Sequence, residues 1–231
     1  MVITISKINS TLHKHLLVIL LFVTHFSISI AQANFDSNLL VRDKKNLEDK
    51  VRVTIDADYT FEQSLEGSTI PISVKKDLEL ITVTYYGFDS KLHQGQLLVN
   101  KEVSADLKEI FSLIRRIKFP IEKVIPLVKY DWSDAKSMED NNTSSFNFRF
   151  VSGSKILSLH ANGLAIDINP RQNPYIKHGI SSPAGSEYNL SVKGTIAPDS
   201  EIVQAFKKRG WIWGGDWKSL KDYQHFQKET Q

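Results

Sequence analysis

The chain has 231 residues, of which 41% are hydrophobic and none is cysteine, and its formal net charge is +3. This length suits one domain of ordinary size plus an extension. So small a charge without a dense basic stripe predicts no nucleic-acid partner, and the lack of cysteine excludes both a disulfide framework and a lipoprotein anchor.

Residues 1–33 have the features of a signal peptide. Two lysines precede an apolar run over residues 16–23, and Ala31-Gln32-Ala33 is the small-x-small pattern that signal peptidase recognises. We expect cleavage before Asn34, export to a periplasm or cell wall, and no stable membrane anchor afterwards. A retained anchor is the alternative, but the apolar run is short for a span of about 20 residues.

Residues 34–67 are interpreted as a linker or lead-in segment. Residues 34–50 are polar and charged without a strong period, whereas apolar and polar side chains alternate over residues 51–60. That alternation predicts a strand, which could be an added edge strand.

The next elements are a helix and two strands. Ser104 can cap an amphipathic helix that runs to Ile117, and the stripe of apolar side chains at helical spacing predicts a core-facing side. Residues 123–130 read as a strand interrupted by Pro126. Residues 145–150 predict a second strand, with phenylalanines on one face and Arg149 on the other.

Residues 158–169 point to a metal site. His160 and Asp167 lie seven residues apart, and strict alternation from Gly163 onward predicts a half-buried strand with Asp167 on its polar face. The small side chains on that face leave space that a histidine from the preceding turn could share. A catalytic zinc takes three protein ligands and keeps one position for water, so a distant third histidine is expected.

The region beyond is predicted to border this site. Residues 169–194 are rich in Pro, Gly, Ser and Asn and read as a loop, in which His178 receives no metal role. A second helix opens at Asp199 or Ser200 and stops at Gly210. The tryptophans that follow are expected to lie partly in the core and partly in an aromatic wall beside the metal.

His225 is the best candidate for the third ligand. Without the histidines of residues 1–33, four remain, and His225 is the one preceded three residues earlier by an acid, Asp222. Positions i and i+3 of a strand point opposite ways, so Asp222 is predicted in the turn before a short strand that carries His225. There it could act as a base toward water.

These residues belong to a longer ordered pattern. Its downstream parts are Ser158-x-His160-x-x-Gly163-x-Ala165-x-Asp167, Asn169-Pro170, Asn173-Pro174-Tyr175, Trp211-x-Trp213-Gly214-Gly215-Asp216-Trp217 and Asp222-x-x-His225-Phe226. Its upstream parts are Tyr86-Gly87-Phe88-Asp89, residues 95–100, Phe119-Pro120-Ile121 and residues 141–149. From about Ser68 to Phe226 the chain resembles the VanY-type D-alanyl-D-alanine carboxypeptidase family of zinc peptidases, which also contains L-alanyl-D-glutamate endopeptidases.

The resemblance implies a role for each site residue. His160, Asp167 and His225 would hold one zinc ion per chain, Asp222 would be the catalytic base, and Arg149 would hold the substrate carbonyl and its developing oxyanion. The implied substrates are the stem peptides of peptidoglycan. We also expect substrate contacts from Ser158, Tyr223 and Trp213. The chain departs from the family pattern at Phe148, where the family usually has cysteine. This difference affects the packing of the core more than the chemistry of the site.

The predicted architecture is a single α+β domain over residues 68–231, in which a small, mainly antiparallel sheet presents the ligands on one face and helices pack behind it. The leading function is zinc-dependent hydrolysis of an amide bond in stem peptides. A catalytically inactive cell-wall-binding or regulatory module is the alternative, and it would need a broken ligand set or a missing base. A structural zinc site usually includes cysteine, which this chain lacks. The bond cut, whether D-Ala-D-Ala, L-Ala-D-Glu or a cross-bridge, stays open.

Overall fold

The computed structural model describes Leu39 and residues 53–229. The chain from Val53 onward forms one compact unit of small, mostly antiparallel sheets with a few helices, which confirms the predicted α+β class. No helix in this part of the chain is long and apolar enough to span a membrane. The predicted signal segment, its cleavage site and, apart from Leu39, the lead-in up to residue 52 lie outside the described residues.

Short strands and helices follow one another along the described chain. The strands are β1 (Thr54–Ile55), β2 (Leu78–Tyr86), β3 (Leu92–Asn100), β4 (Lys123–Val124), β5 (Asn142–Thr143), β6 (Ala165–Asp167), β7 (Tyr175–Lys177), β8 (Ile180–Ser182), β9 (Ile212–Trp213), β10 (Lys221–Asp222) and β11 (His225–Gln227). The α-helices are α1 (Ile72–Lys75), α2 (Lys101–Arg116), α3 (Asp134–Glu139) and α4 (Glu201–Lys207). Single turns of 3-10 helix are Gln63–Leu65, Leu127–Tyr130, Leu159–Asn162 and Gly214–Asp216.

The strands pair into small separate sheets. β2 and β3 form a long antiparallel hairpin, and β1 adds to β3 in parallel. Two antiparallel sheets have the strand orders β6-β11-β9 and β10-β7-β8, while β4 and β5 pair in parallel. The sheet β6-β11-β9 sets the site, because its register places His225 opposite Asp167.

Helix α2 is the main helix of the core and begins earlier than predicted. Its N-cap is Asn100, whose side chain accepts a hydrogen bond of 3.0 Å from Glu102 N, whereas Ser104 lies buried on the inner face. The predicted apolar stripe packs against β2. Burial of each such side chain stabilises the fold by about 1.5–3 kcal/mol. The position of the helix therefore depends on the apolar stripe and not on the cap predicted at Ser104.

Several predicted strands are shorter than expected or absent. Within residues 53–60, the part of this stretch that the structure describes, only Thr54 and Ile55 form a strand. After β4 the chain turns at Pro126 into 3-10 helix, since proline offers no N–H to a sheet. Residues 145–149 form no strand, and although Phe146 is buried, Phe150 is exposed, so the predicted phenylalanine face is incomplete. The predicted loop 169–194 contains the hairpin β7–β8.

Helices pack behind the ligand-bearing sheet, as the sequence predicts. Ile166 and Phe226 occupy the face opposite the ligands and belong to the main core. The Phe206 ring of α4 stacks on Phe226 with ring centroids 3.9 Å apart. The ligand face is also closed, because Asp167 is buried as well, at 5% exposed. The strand is therefore covered on both sides and not half-buried.

Candidate metal centre

Three side chains converge at one edge of the β6-β11-β9 sheet. One ligand atom from each of His160, Asp167 and His225 lies within 4.8 Å of the other two. His225 Nδ1 is 3.0 Å from Asp167 Oδ1, and His160 Nε2 is 3.3 Å from Asp167 Oδ2. All three side chains are buried. The fold thus brings the predicted ligands together in a site shielded from bulk water.

Local structure fixes the position of each ligand. His160 lies in a turn of 3-10 helix that Ser158 caps, with Ser158 Oγ accepting a hydrogen bond of 3.3 Å from His160 N. Gly163 ends this turn in the left-handed region, at φ +68°, and β6 then delivers Asp167 opposite His225. Ser158, which we expected to contact substrate, is itself buried and uses its hydroxyl in this cap, so the structure gives it a supporting position.

The outer ring nitrogens of both histidines have acceptors. His160 Nδ1–H donates to Ser145 O, and His225 Nε2–H donates to Gln227 Oε1 at 2.9 Å. With these outer nitrogens engaged, His160 Nε2 and His225 Nδ1 are the ring atoms that face the site, 3.1 Å apart. If both of these nitrogens carry lone pairs, they and the carboxylate repel one another unless a proton or a metal cation lies between them. The donor set therefore fits a metal ion.

The coordination group is incomplete by itself. Within the described chain, the group contains no fourth His, Cys, Asp or Glu. A three-ligand set of nitrogen and oxygen donors leaves a position for water or substrate, which is typical of a catalytic centre and not of a structural one.

The electrostatics of the ligands favour positive charge. Burial would raise the pKa of Asp167, but the adjacent His160 and His225 outweigh it and hold that pKa far below its usual range. Burial would likewise lower the pKa of His225, but its hydrogen bond to Asp167 and the charge of that carboxylate raise it to about 9. Asp167 is therefore ionised, and it draws a proton or a cation into the site.

Asp222 lies beside this group without joining it. It is part of β10 and not of a turn, and it pairs with Tyr175 of β7. Burial and then the charge of Asp167 raise the pKa of Asp222 to about 6. The residue is half-buried, and its Oδ1 atom is fully buried with no hydrogen-bond partner among the described residues. Asp222 thus combines a free oxygen with a pKa close to neutrality.

Arg149 has a different setting from the one predicted. Because residues 145–149 are not a strand, Arg149 and Asp167 do not share a strand face. Its Nη2 forms an ion pair of 3.0 Å with Asp134 Oδ2, and its carbonyl oxygen accepts a hydrogen bond of 3.0 Å from Ser158 N. The backbone thus ties Arg149 to the loop that carries His160.

The aromatic residues divide between core and wall, as expected. Trp213 is 1% exposed, and its indole N–H donates to Tyr223 O at 2.9 Å. The expectation that Trp213 contacts substrate is therefore wrong, and its role is to support Tyr223. Tyr223 stacks on Tyr188 with ring centroids 3.5 Å apart. Trp217 is half-buried, with its ring 5.4 Å from that of His225.

Sequence reasoning missed several supporting residues. Gln227 follows His225 by two positions and so shares its strand face, a signal that could have identified it. Tyr188, Ser145 and Asp134 carry no such signal, since their contacts with the site residues arise only from the folding of distant segments.

Comparison with known proteins agrees with this geometry. A family model described as D-alanyl-D-alanine carboxypeptidase matches residues 152–228, which confirms the resemblance predicted from the sequence. The matched range contains the three candidate ligands and Asp222 but not Arg149. No solved structure matches the chain.

Proposed function

We propose that this protein is a zinc-dependent peptidase that hydrolyses an amide bond in the stem peptides of peptidoglycan, because a family model described as D-alanyl-D-alanine carboxypeptidase matches residues 152–228. The observation that carries the proposal is the buried group of His160, Asp167 and His225 with an open position. Carboxypeptidase action on D-Ala-D-Ala and endopeptidase action on L-Ala-D-Glu are both compatible with it. The signal-like residues 1–33 support a location outside the cytoplasm, where peptidoglycan lies.

Zinc is the metal that this donor set suits best. Two imidazole nitrogens and one carboxylate, with a free position, are typical of catalytic zinc. When bound, the ion would polarise the scissile carbonyl and lower the pKa of water toward about 7. His160, Asp167 and His225 would hold one ion per chain.

Asp222 provides the base in this reaction. With a pKa of about 6, its carboxylate is mostly ionised at neutral pH yet basic enough to take a proton from the attacking water. Its unpartnered Oδ1 is free to accept that hydrogen bond. Asp222 then returns the proton to the leaving amine, so that the amide bond breaks without releasing an unstable amide anion.

Arg149 stabilises the charge that develops on the carbonyl oxygen. Its side chain is 32% exposed and pairs with Asp134 through Nη2, so the rest of the guanidinium is not committed to that ion pair. A donor aimed at a developing oxyanion typically contributes 10² to 10³ in rate, roughly 2.7–4 kcal/mol.

The test is digestion of defined muropeptides followed by mass spectrometry. We expect the purified protein to cleave one class of stem-peptide bond, to lose this activity after chelation and to regain it with zinc. Release of terminal D-Ala identifies a carboxypeptidase, and separation of L-Ala from D-Glu identifies an endopeptidase. His225→Ala is the control and should neither cleave nor retain zinc. If the zinc-loaded wild-type protein cleaves none of the muropeptides, the peptidase proposal is wrong, and the inactive wall-binding module takes its place.

A further inference from the structure

The guanidinium of Arg149 is held on one side only. Its Nη2 pairs with Asp134 Oδ2 at 3.0 Å, while its buried Nε has no partner within the described chain. The two side chains of the pair are 32% and 30% exposed, so the pair is partly removed from solvent. Such a pair is charge-assisted and less screened than one on the open surface.

Asp134 is in turn held by a hydrogen bond to the segment that contacts the metal ligand His160. It is the first residue of α3, which Ser133 caps. Its second oxygen, Oδ1, accepts a hydrogen bond of 3.3 Å from Asn147 Nδ2. Asn147 is buried, and its backbone N–H donates to His160 O at 3.0 Å. Asp134 therefore links the Arg149 guanidinium to the same segment that holds a metal ligand.

We propose that Asp134 is a positioning residue, which holds the Arg149 guanidinium in the place from which it acts on the substrate. This inference rests on the proposed function. An arginine side chain loses up to about 2 kcal/mol of rotamer entropy when it is ordered, and Asp134 imposes that order before substrate arrives. Misplacement of a catalytic group by about 1 Å can lower the rate on the order of 10²-fold, so the position of the guanidinium matters.

The test compares Asp134→Asn with a matched variant of the same helix region. Asp131 pairs with Lys136 at 3.0 Å, is 84% exposed and has no ion pair with a site residue in the described part of the chain, so Asp131→Asn is the control. We expect Asp134→Asn to lower kcat by about 10- to 100-fold, with a smaller change in KM and no change in zinc content or Tm. Asp131→Asn should match the wild type, and Asp134→Glu, which keeps the charge, should recover part of kcat.

Two further readouts separate positioning from a general structural role. The ¹⁵N NMR signal of Arg149 Nε, assigned by its loss in Arg149→Ala, should show faster guanidinium rotation in Asp134→Asn. The double variant Asp134→Asn/Arg149→Ala should be no slower than Arg149→Ala alone, because Asp134 acts through Arg149. Should Asp134→Asn fold poorly, Asp134→Ser, which also removes the charge but keeps a small polar residue at the start of α3, provides the same readouts.

The outcomes are distinct. Unchanged guanidinium rotation, wild-type kcat in Asp134→Asn, or fully additive losses in the double variant would each overturn the inference. A wild-type protein that cleaves no muropeptide overturns the proposed function, and the NMR readout then decides alone whether Asp134 orders Arg149.

Discussion

The neighbours of Asp167 and Asp222 shift the pKa values of these two carboxyl groups in opposite directions. Asp167 contacts two imidazoles, which outweigh its burial and lower its pKa. For Asp222, burial together with the charge of Asp167 outweighs the effect of the nearby His225 and raises its pKa to about 6. When the pKa values of two neighbouring groups are shifted apart in this way, the two groups take different roles. Here the group with the lower pKa is the ligand, and the group with the higher pKa is the base.

The first prediction concerns the base. Asp222→Asn keeps the size of the side chain but cannot accept a proton, so kcat should fall by about 10² to 10⁴ while zinc content and fold are retained. Zinc analysis and kcat against pH on one muropeptide provide the measurement. Asp216→Asn, an exposed acid paired with Lys207, is the control. Near-wild-type turnover, or loss of zinc together with activity, would show that another group takes the proton.

The second prediction concerns the same carboxyl in the metal-free protein. Its pKa in the folded chain, about 6, lies above the ordinary 3.8, so the folded state prefers the protonated form. The resulting destabilisation is absent below about pH 4, grows between pH 4 and 6, and is complete above pH 6. Asp222→Asn removes it, so the free energy of unfolding should rise relative to the wild type by about 1–2 kcal/mol more at pH 7.5 than at pH 4.

Urea denaturation of chelator-treated protein at the two pH values measures this difference. An equal difference between variant and wild type at both pH values contradicts a raised pKa of Asp222.

The third prediction concerns the support of a ligand. Gln227 accepts the Nε2–H of His225 and so keeps Nδ1 free for the metal. Gln227→Ala should weaken zinc binding by about 10- to 100-fold, whereas Gln227→Glu retains an acceptor and should weaken it less. Competition with a chelator of known affinity gives the Kd. Gln204→Ala, at an exposed position of α4, is the control, and equal affinities in all variants would refute the role of Gln227.

At the scale of elements, the turn between the 3-10 helix of His160 and β6 packs closely against backbone from another part of the chain. Gly163 has φ +68°, and a Cβ there would lie 2.6 Å from Asn100 N and 2.9 Å from Val99 C. Both atoms are backbone and cannot move aside cheaply. The Asn100 N–H also donates to Gly163 O at 3.0 Å, so this approach connects the site loop to β3 and the start of α2.

The fourth prediction tests this close approach. Gly163→Ala adds a left-handed dihedral cost of about 1–2 kcal/mol to an overpacking cost of about 1–3 kcal/mol. The total of roughly 2–5 kcal/mol should lower Tm by roughly 4–20 °C. Gly153→Ala is the matched control, because Gly153 has φ +74° but meets no heavy atom of the described residues within 4 Å. If both variants lose the same stability, the contact with Asn100 has no cost and the dihedral explains everything.

At the scale of the whole molecule, the site spans two sheets. Asp222 belongs to the sheet β10-β7-β8 and His225 to the sheet β6-β11-β9, although only two residues separate them. The distance between base and ligands therefore depends on how the chain crosses between the sheets. Trp213, buried beneath Tyr223, fixes that crossing through its hydrogen bond to Tyr223 O.

The fifth prediction concerns the exported molecule. The pattern Ala31-Gln32-Ala33 after an apolar run predicts a mature chain that begins at Asn34. N-terminal sequencing of protein secreted by an exporting host checks it, and Ala33→Leu, which blocks the small-residue position, should prevent cleavage. Protein that still begins at Met1 in the wild type would defeat the prediction and favour a retained anchor.

The sequence by itself determined the α+β class, the apolar face of α2 and the set His160, Asp167 and His225, because periodicity and donor chemistry are local properties of a chain. Helix α4 likewise begins directly after Ser200, one of the two positions predicted to open it, since a cap needs only its own first turn. Tertiary structure decided the rest. Residues 145–149 have strand-like alternation but no strand partner, and a strand exists only where another segment offers hydrogen bonds. Only the tertiary structure could show that Asp134 pairs with Arg149 and that Trp213 bonds to the backbone of Tyr223. Each of these contacts joins residues that are apart in the sequence, and no local pattern predicts that they meet.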